Sequence, residues 1–195
     1  MSIRGIVLVI GLASIAAGCG SSPKVRYYTL SAAEAPAVAA APSKAALTVT
    51  VGPATVPEVV DRQQIVLRVG ANQVELSEFD RWAEALKFAI PRVVAASLAQ
   101  QIASAQVFVY SPSAPGTDFR VLIDVERFES EPAKAVTVEA SWSILPRVKG
   151  EPKAGRSVVR EPVGAAGYDA LVAAHSRALA AVSRDIADAL RTMSR

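Results

Sequence analysis

FRVLIDVERFESEPAKAVTVEASWSI, residues 119–144, decides the fold. In its first half Phe119, Val121, Ile123 and Val125 alternate with Arg120, Leu122, Asp124 and Glu126. In its second half Val136, Val138, Ala140, Trp142 and Ile144 alternate with Thr137, Glu139, Ser141 and Ser143. A period of two sends alternate side chains to opposite faces. The stretch therefore reads as two half-buried strands, antiparallel neighbours, each with one apolar face turned toward a core. A sheet with one apolar face needs a second layer to cover it.

Working outward, that layer is found on both sides. Downstream, Leu171, Ala174, Ala178, Val182, Ile186, Ala189 and Met193 fall on one helical stripe, with Arg177, Arg184, Asp188 and Arg191 on another. This predicts an amphipathic closing helix that starts at Gly167 or Asp169. Upstream, Trp82, Leu86, Ile90, Val93, Leu98 and Ile102 recur at roughly helical spacing and predict a helix over 82–105. Pro91 interrupts it, either kinking one helix or ending a first one near Ala89 and opening the next.

Further strands are expected at 25–30, at 47–51 where Gly52-Pro53 stops it, at 65–69 and 73–76 as a hairpin about Gly70-Ala71-Asn72, and at 107–110. Residues 147–156 read as a charged loop and 157–163 as a weak edge strand. The order of elements predicts an α+β fold: a two-layer domain, mainly antiparallel sheet, with two long helices packed on one face. Residues 31–46, with nine alanines among them, read as an Ala/Pro-rich loop within a single domain spanning 25–195.

The N-terminus carries an address. Arg4 precedes ten apolar or small residues, 6–15, followed by Ala16, Ala17 and Gly18, the build of a secretory signal peptide over 1–18. A spanning helix needs about 20 apolar residues, and this run stops too soon. Ala16-Ala17-Gly18-Cys19 resembles the bacterial lipobox, although Ala16 stands where Leu is usual. That resemblance implies acylation of Cys19, including a palmitate-type chain, with 19–24 as a lipidated tether. In the same resemblance Gly20, not being Asp, implies sorting to the outer membrane, with the domain facing the periplasm.

Composition narrows the chemistry. The chain has 195 residues, 51% of them hydrophobic, with 21 Lys plus Arg against 18 Asp plus Glu. That suits one globular domain, and no basic block of the kind that binds nucleic acid is present. One cysteine has no intramolecular disulfide partner. The sole histidine, His175, lies beside the apolar stripe of the closing helix and reads as a helix-surface residue. No Gly-x-Ser-x-Gly elbow accompanies it, and one His beside carboxylates does not make a zinc site. Asp124 and Glu126 share a strand face and resemble in arrangement the carboxylate pair of a glycosidase, but alternation makes that face solvated. No phosphate-binding loop occurs, since Gly164-Ala165-Ala166-Gly167 lacks a lysine. No enzyme, no cofactor and no metal is expected.

One further pattern runs the length of the chain. After Cys19 come Tyr27-Tyr28-Thr29-Leu30, then Val56-Pro57-Glu58-Val59-Val60-Asp61-Arg62-Gln63-Gln64-Ile65-Val66, then Val74-Glu75-Leu76 and Arg81-Trp82-Ala83-Glu84. Together with the closing stretch 168–190 these resemble the PqiC/YmbA-type lipoproteins, the ABC-type transport auxiliary lipoproteins. The resemblance implies a non-catalytic auxiliary component of an MCE-type intermembrane lipid transport system. Its implied partners are an MCE-domain protein and inner-membrane permease and ATPase subunits, with a homo-oligomer left open. It implies docking of the lipid conduit at the outer membrane and support of envelope integrity. Arg62, Arg81 and Trp82 are the candidate partner surface, although Trp82 suits a core anchor and Asp61 with Arg62 suit a turn. The alternatives are an envelope hydrolase using the Asp124/Glu126 face, and an assembly lipoprotein for outer-membrane barrels or lipopolysaccharide.

Overall fold

The computed structural model describes residues 23–32, 47–111 and 116–194. The expected signal peptide, Cys19 and most of the Ala/Pro-rich loop lie outside the described residues. The elements are β1 Arg26–Tyr28, β2 Leu47–Thr55, β3 Gln64–Arg68, β4 Val74–Trp82, α1 Leu86–Gln101, β5 Ala105–Val109, β6 Phe119–Glu131, β7 Ala135–Pro146, β8 Lys153–Pro162 and α2 Tyr168–Met193.

The α+β architecture follows the patterning, but the sheet is mixed rather than mainly antiparallel. β3 with β4, β6 with β7 and β7 with β8 run antiparallel, whereas β1 with β4, β2 with β5, β2 with β6 and β3 with β6 run parallel. The long strand β6 organises it. One edge of β6 is given wholly to β7. The other edge is shared, first by β2 between Phe119 and Asp124, then by β3 where Leu67 meets Ser130. The sheet thus forks, β5 lying beyond β2 on one tine and β4 and β1 beyond β3 on the other.

Both helices cover the apolar face. Ile90, Val93, Val94 and Leu98 of α1 and Ala178, Leu179, Val182, Ile186 and Leu190 of α2 are buried with Val49, Val51, Val121, Ile123, Val138 and Ile144 of the sheet. Each Val, Leu or Ile side chain among them contributes about 1.5–3 kcal/mol on leaving water, before the entropy of ordering the chain is subtracted. The opposite face carries ion pairs instead: Arg68 and Arg127 both reach Glu129 at 2.6 Å, Arg160 reaches Glu131 at 2.6 Å, and Arg156 reaches Glu126 at 3.1 Å and also Glu139.

Four boundaries differ from the expectation. Trp82 ends β4 and does not begin a helix, because its backbone pairs with Tyr28 of β1 and its N–H donates to the Gln63 carbonyl at 2.7 Å. Pro91 lies inside one continuous α1 and does not split it. It forgoes a single helical hydrogen bond and is buried against Gly52 of β2. β2 passes through Gly52-Pro53 with a register shift between Val51 and Ala54. β8 starts at Lys153, within the expected charged loop, and pairs with β7 over ten residues. Gly155 permits this: the Trp142 ring lies across it, donating from Nε1 to Ser157 Oγ at 3.1 Å, and Ser157 Oγ donates to Asp185 Oδ2 of α2 at 2.5 Å.

Candidate functional site

The segments that carry the family resemblance are far apart in sequence and adjacent in space. Parallel pairing of β1 with β4 sets Tyr27 beside Arg81 and Tyr28 beside Trp82. The Ala83 N–H donates to the Tyr28 carbonyl at 2.9 Å, and Gln64 stands opposite Arg81 on the other edge of β4. Three segments thereby form one seam where the N-terminal strand joins the domain.

Asp80, next to Arg81, is the hub of that seam and was not singled out by the sequence reading. It is 3% exposed. Arg26 donates to both its oxygens, Nε to Oδ1 at 2.7 Å and Nη2 to Oδ2 at 3.0 Å. Tyr28 Oη donates at 2.9 Å and Ser77 Oγ at 3.0 Å, while Ser77 Oγ also accepts from the Asp80 N–H. Burial alone disfavours the carboxylate, but the bonds from Arg26, Tyr28 and Ser77 outweigh it and hold Asp80 below its ordinary value. Burial and the bond to Asp80 push the Tyr28 phenol up. The only visible signal in the sequence was the position of this acid between Tyr-Tyr and Arg-Trp segments that turn out to be paired.

Behind the seam lies an aromatic stack. Trp82, 4% exposed, meets the edges of Phe128 and His175 at ring distances of 6.0 and 6.1 Å, and Phe128 stacks on His175 at 4.0 Å with 10° between the planes. His175 is 0% exposed, which corrects its expected place on the helix surface. The i, i+4 spacing from Leu171 puts it on the buried stripe, and Phe128 and Ser130 of β6 receive it. Its Nε2 and Ser130 Oγ are 2.8 Å apart, and its Nδ1 has no partner among the described residues. Burial lowers its pKa to about 3, so the ring is neutral. A nucleophile and base pair needs an orienting acid and access. Among the described residues Nδ1 meets no carboxylate, and Ser130 and His175 are both buried within the core.

Trp82 is therefore placed in the core and not on the surface. Arg62 is exposed in the turn before β3, its N–H bonded to the Val60 carbonyl at 2.8 Å. Arg81 is half-buried, with Nε unpartnered among the described residues. Asp61 is tied to Lys87 of α1 at 3.2 Å. Asp124 and Glu126 are both exposed and hold separate partners, Thr55 for the first and Ser141 with Arg156 for the second. A register shift between Val125 and Arg127 follows directly. Among the described residues no three His, Cys, Asp or Glu side chains are grouped to hold a metal ion, and no helix is long and apolar enough to cross a membrane.

The model of one protein family, described as the ABC-type transport auxiliary lipoprotein component, matches residues 28–187. No curated protein matches the chain. Solved structures share its fold, two of them over most of both chains. One, the crystal structure of an uncharacterized protein, is 18% identical, with a TM-score of 0.72 over 86% of this chain and 99% of its own. The other, XCC0632 from Xanthomonas campestris, of the family DUF330, is 18% identical, with a TM-score of 0.63 over 83% of this chain and 92% of its own.

Proposed function

The chain belongs to the family of ABC-type transport auxiliary lipoproteins, and from that premise we propose that it is a non-catalytic component anchored by acylated Cys19 in the outer membrane, facing the periplasm. There it docks an MCE-type lipid conduit whose permease and ATPase subunits sit in the inner membrane, and so supports envelope integrity. The observation that carries this reading is the seam at Asp80. The family's Tyr-Tyr and Arg-Trp segments are used to fasten the strand nearest the anchor to the rest of the domain, which suits a tethered component that must hold position under load. Self-association is compatible with this role. Arg62, exposed beside the seam, is the residue proposed to face a partner.

Purification of the membrane complex through a C-terminal tag tests the reading. Co-isolation of an MCE-domain protein supports it; recovery of barrel-assembly components alone overturns it. Cys19→Ser is expected to move the protein from the membrane to the soluble fraction, and retention on the membrane removes the anchor from the model.

A further inference from the structure

We propose that one end of this domain, formed by the loops 69–74, 131–134 and 162–167, toward which the chain before β1 leads, is a seat that rests on the surface of a lipid bilayer. The proposal rests on the acylation of Cys19 given above and adds a defined contact surface to it.

The topology gathers these loops. β1 runs parallel to β4, so tracing both strands backward leads to the same end of the sheet. The turn of the β3–β4 hairpin lies at the start of β4 and hence at that end. β6 runs parallel to β3, with Leu67 opposite Ser130, so the turn between β6 and β7 lies there too. Ala135 of β7 pairs with Pro162 of β8, and the Val163 N–H donates to the Lys134 carbonyl at 3.0 Å, which brings the connection from β8 to α2 alongside.

β1 itself starts opposite Asp80, part-way up β4 from this end, and the chain before it leads back toward these loops. Pro23 is the first described residue of its segment and stands four residues after Cys19, a span of at most about 14 Å when extended. An acyl chain on Cys19 would therefore hold the headgroups close to the segment before β1, on the side toward which these loops project.

Their chemistry suits that neighbour. Residues 69–74, Val-Gly-Ala-Asn-Gln-Val, and residues 162–167, Pro-Val-Gly-Ala-Ala-Gly, contain no charged side chain. Val69 and Val74 are exposed, Val74 at 41%, as are Leu76 farther along β4 and Val25 before β1. Arg68 clips the hairpin turn by donating to the Ala71 carbonyl at 3.0 Å. Glu131 is paired with Arg160 at 2.6 Å, while Lys24 and Lys134 are exposed. Exposed carboxylates Glu75 and Asp169 stand one step back, in β4 and the first turn of α2. Neutral, partly apolar loops flanked by lysines are what a bilayer with anionic lipids accommodates. At the other end of the sheet, the connection 147–152 carries Arg147, Lys149 and Glu151 and is tied to Asp118.

Cys19 is the only cysteine, so in the acylated full-length protein a second cysteine is labelled without competition. The variants Val74→Cys and, as reference on the β8 edge, Val158→Cys, 62% exposed, carry an environment-sensitive fluorophore. They are reconstituted in vesicles of phosphatidylethanolamine and phosphatidylglycerol. The expected result is a blue shift at position 74 with iodide quenching several-fold weaker than at position 158, and quenching by a lipid-borne nitroxide at 74 alone. Equal iodide access at both positions on floating vesicles overturns the seat, as does shielding of 74 that appears only when partner proteins are added. Failure of the protein to float instead removes the anchor on which the proposal stands, a separable outcome. Hydrogen exchange on the unlabelled protein gives a second reading: amides of 69–76 and 163–167 are expected to slow on vesicles relative to Cys19→Ser in solution, and unchanged rates overturn the proposal without relying on a label.

Discussion

Arg26 and Asp80, 54 residues apart in sequence, meet through two parallel hydrogen bonds of 2.7 and 3.0 Å, so the first described strand is fastened at the side chain as well as along its backbone. β1 is only three residues long, too short for ladder bonds alone to secure a strand that would bear the proposed anchor. The carboxylate, buried and held by Arg26, Tyr28 and Ser77, does the fastening.

Asp80→Asn keeps the shape and removes the charge. It is expected to cost about 1–3 kcal/mol, the range for a hydrogen bond to a buried charged group. The pH dependence has a defined sign. The folded value of Asp80 is lowered, so its contribution is present above the unfolded carboxylate value near 4 and is lost as pH falls through the folded value. Thermal melts of the wild type should therefore steepen downward below about pH 4, and those of the Asp80→Asn variant should lack this component.

Gly155→Ala places a Cβ inside the space of the Trp142 ring, overlapping Cζ2 and Cη2. The ring must swing away and give up its bond to Ser157, which itself reaches Asp185 of α2. Overpacking of this kind costs about 1–3 kcal/mol. A lower melting temperature with altered tryptophan fluorescence is the expected readout, and a variant that melts like wild type would show that the ring has room to move.

Trp82→Ala and Arg62→Glu separate core from surface. Trp82 is buried against Phe128 and His175, and its truncation is expected to cost about 3–5 kcal/mol. Arg62→Glu alters an exposed side chain and should leave the melting temperature nearly unchanged, while weakening capture of the proposed MCE-domain partner if the turn before β3 faces it. Equal capture by wild type and variant excludes Arg62 from the interface.

These residues also show what the sequence made legible. Alternation from Phe119 and from Val136 identifies β6 and β7 because one face of each is covered and the other carries charge. The stripe from Leu171 identifies α2 for the same reason at a different period. Trp82 misleads because Trp82, Leu86 and Ile90 happen to fall at intervals of four. What decides its conformation is pairing with Tyr28 and the bond to Gln63, which are non-local and leave no periodic trace. The mixed sheet is hidden likewise, since the parallel partners are remote in sequence, β1 and β4 being separated by β2 and β3, and β2 and β5 by the β3–β4 hairpin and α1. Residues 153–156 read as loop because a glycine and charges interrupt the alternation, whereas Gly155 is the feature that lets Trp142 lie across the strand. Asp80 and His175 escaped because their significance resides in Arg26 and Ser130, which carry no mark of their own.

His175, buried and neutral, is expected to make the domain sensitive to mild acid. Its folded pKa is about 3, against an unfolded value near 6.5. Below 6.5 the unfolded chain binds a proton that the folded one refuses, so stability falls as pH falls from about 6.5 and continues to fall until about 3. A difference of this size is worth on the order of 5 kcal/mol across the window, a large share of the about 5–15 kcal/mol that holds a typical domain folded. His175→Phe preserves the stack on Phe128 and removes the titrating group, at the cost of the contact with Ser130. The expected outcome is a melting temperature near or somewhat below wild type at pH 8, with a flatter decline between pH 6.5 and pH 4.5, where Asp80 remains ionised in the folded state and does not contribute. Denaturant titrations at these three pH values measure the slope directly. An unchanged slope in the His175→Phe variant would show that the ring is protonated in the folded domain, and that the orphaned Nδ1 finds a carboxylate or water that keeps it charged.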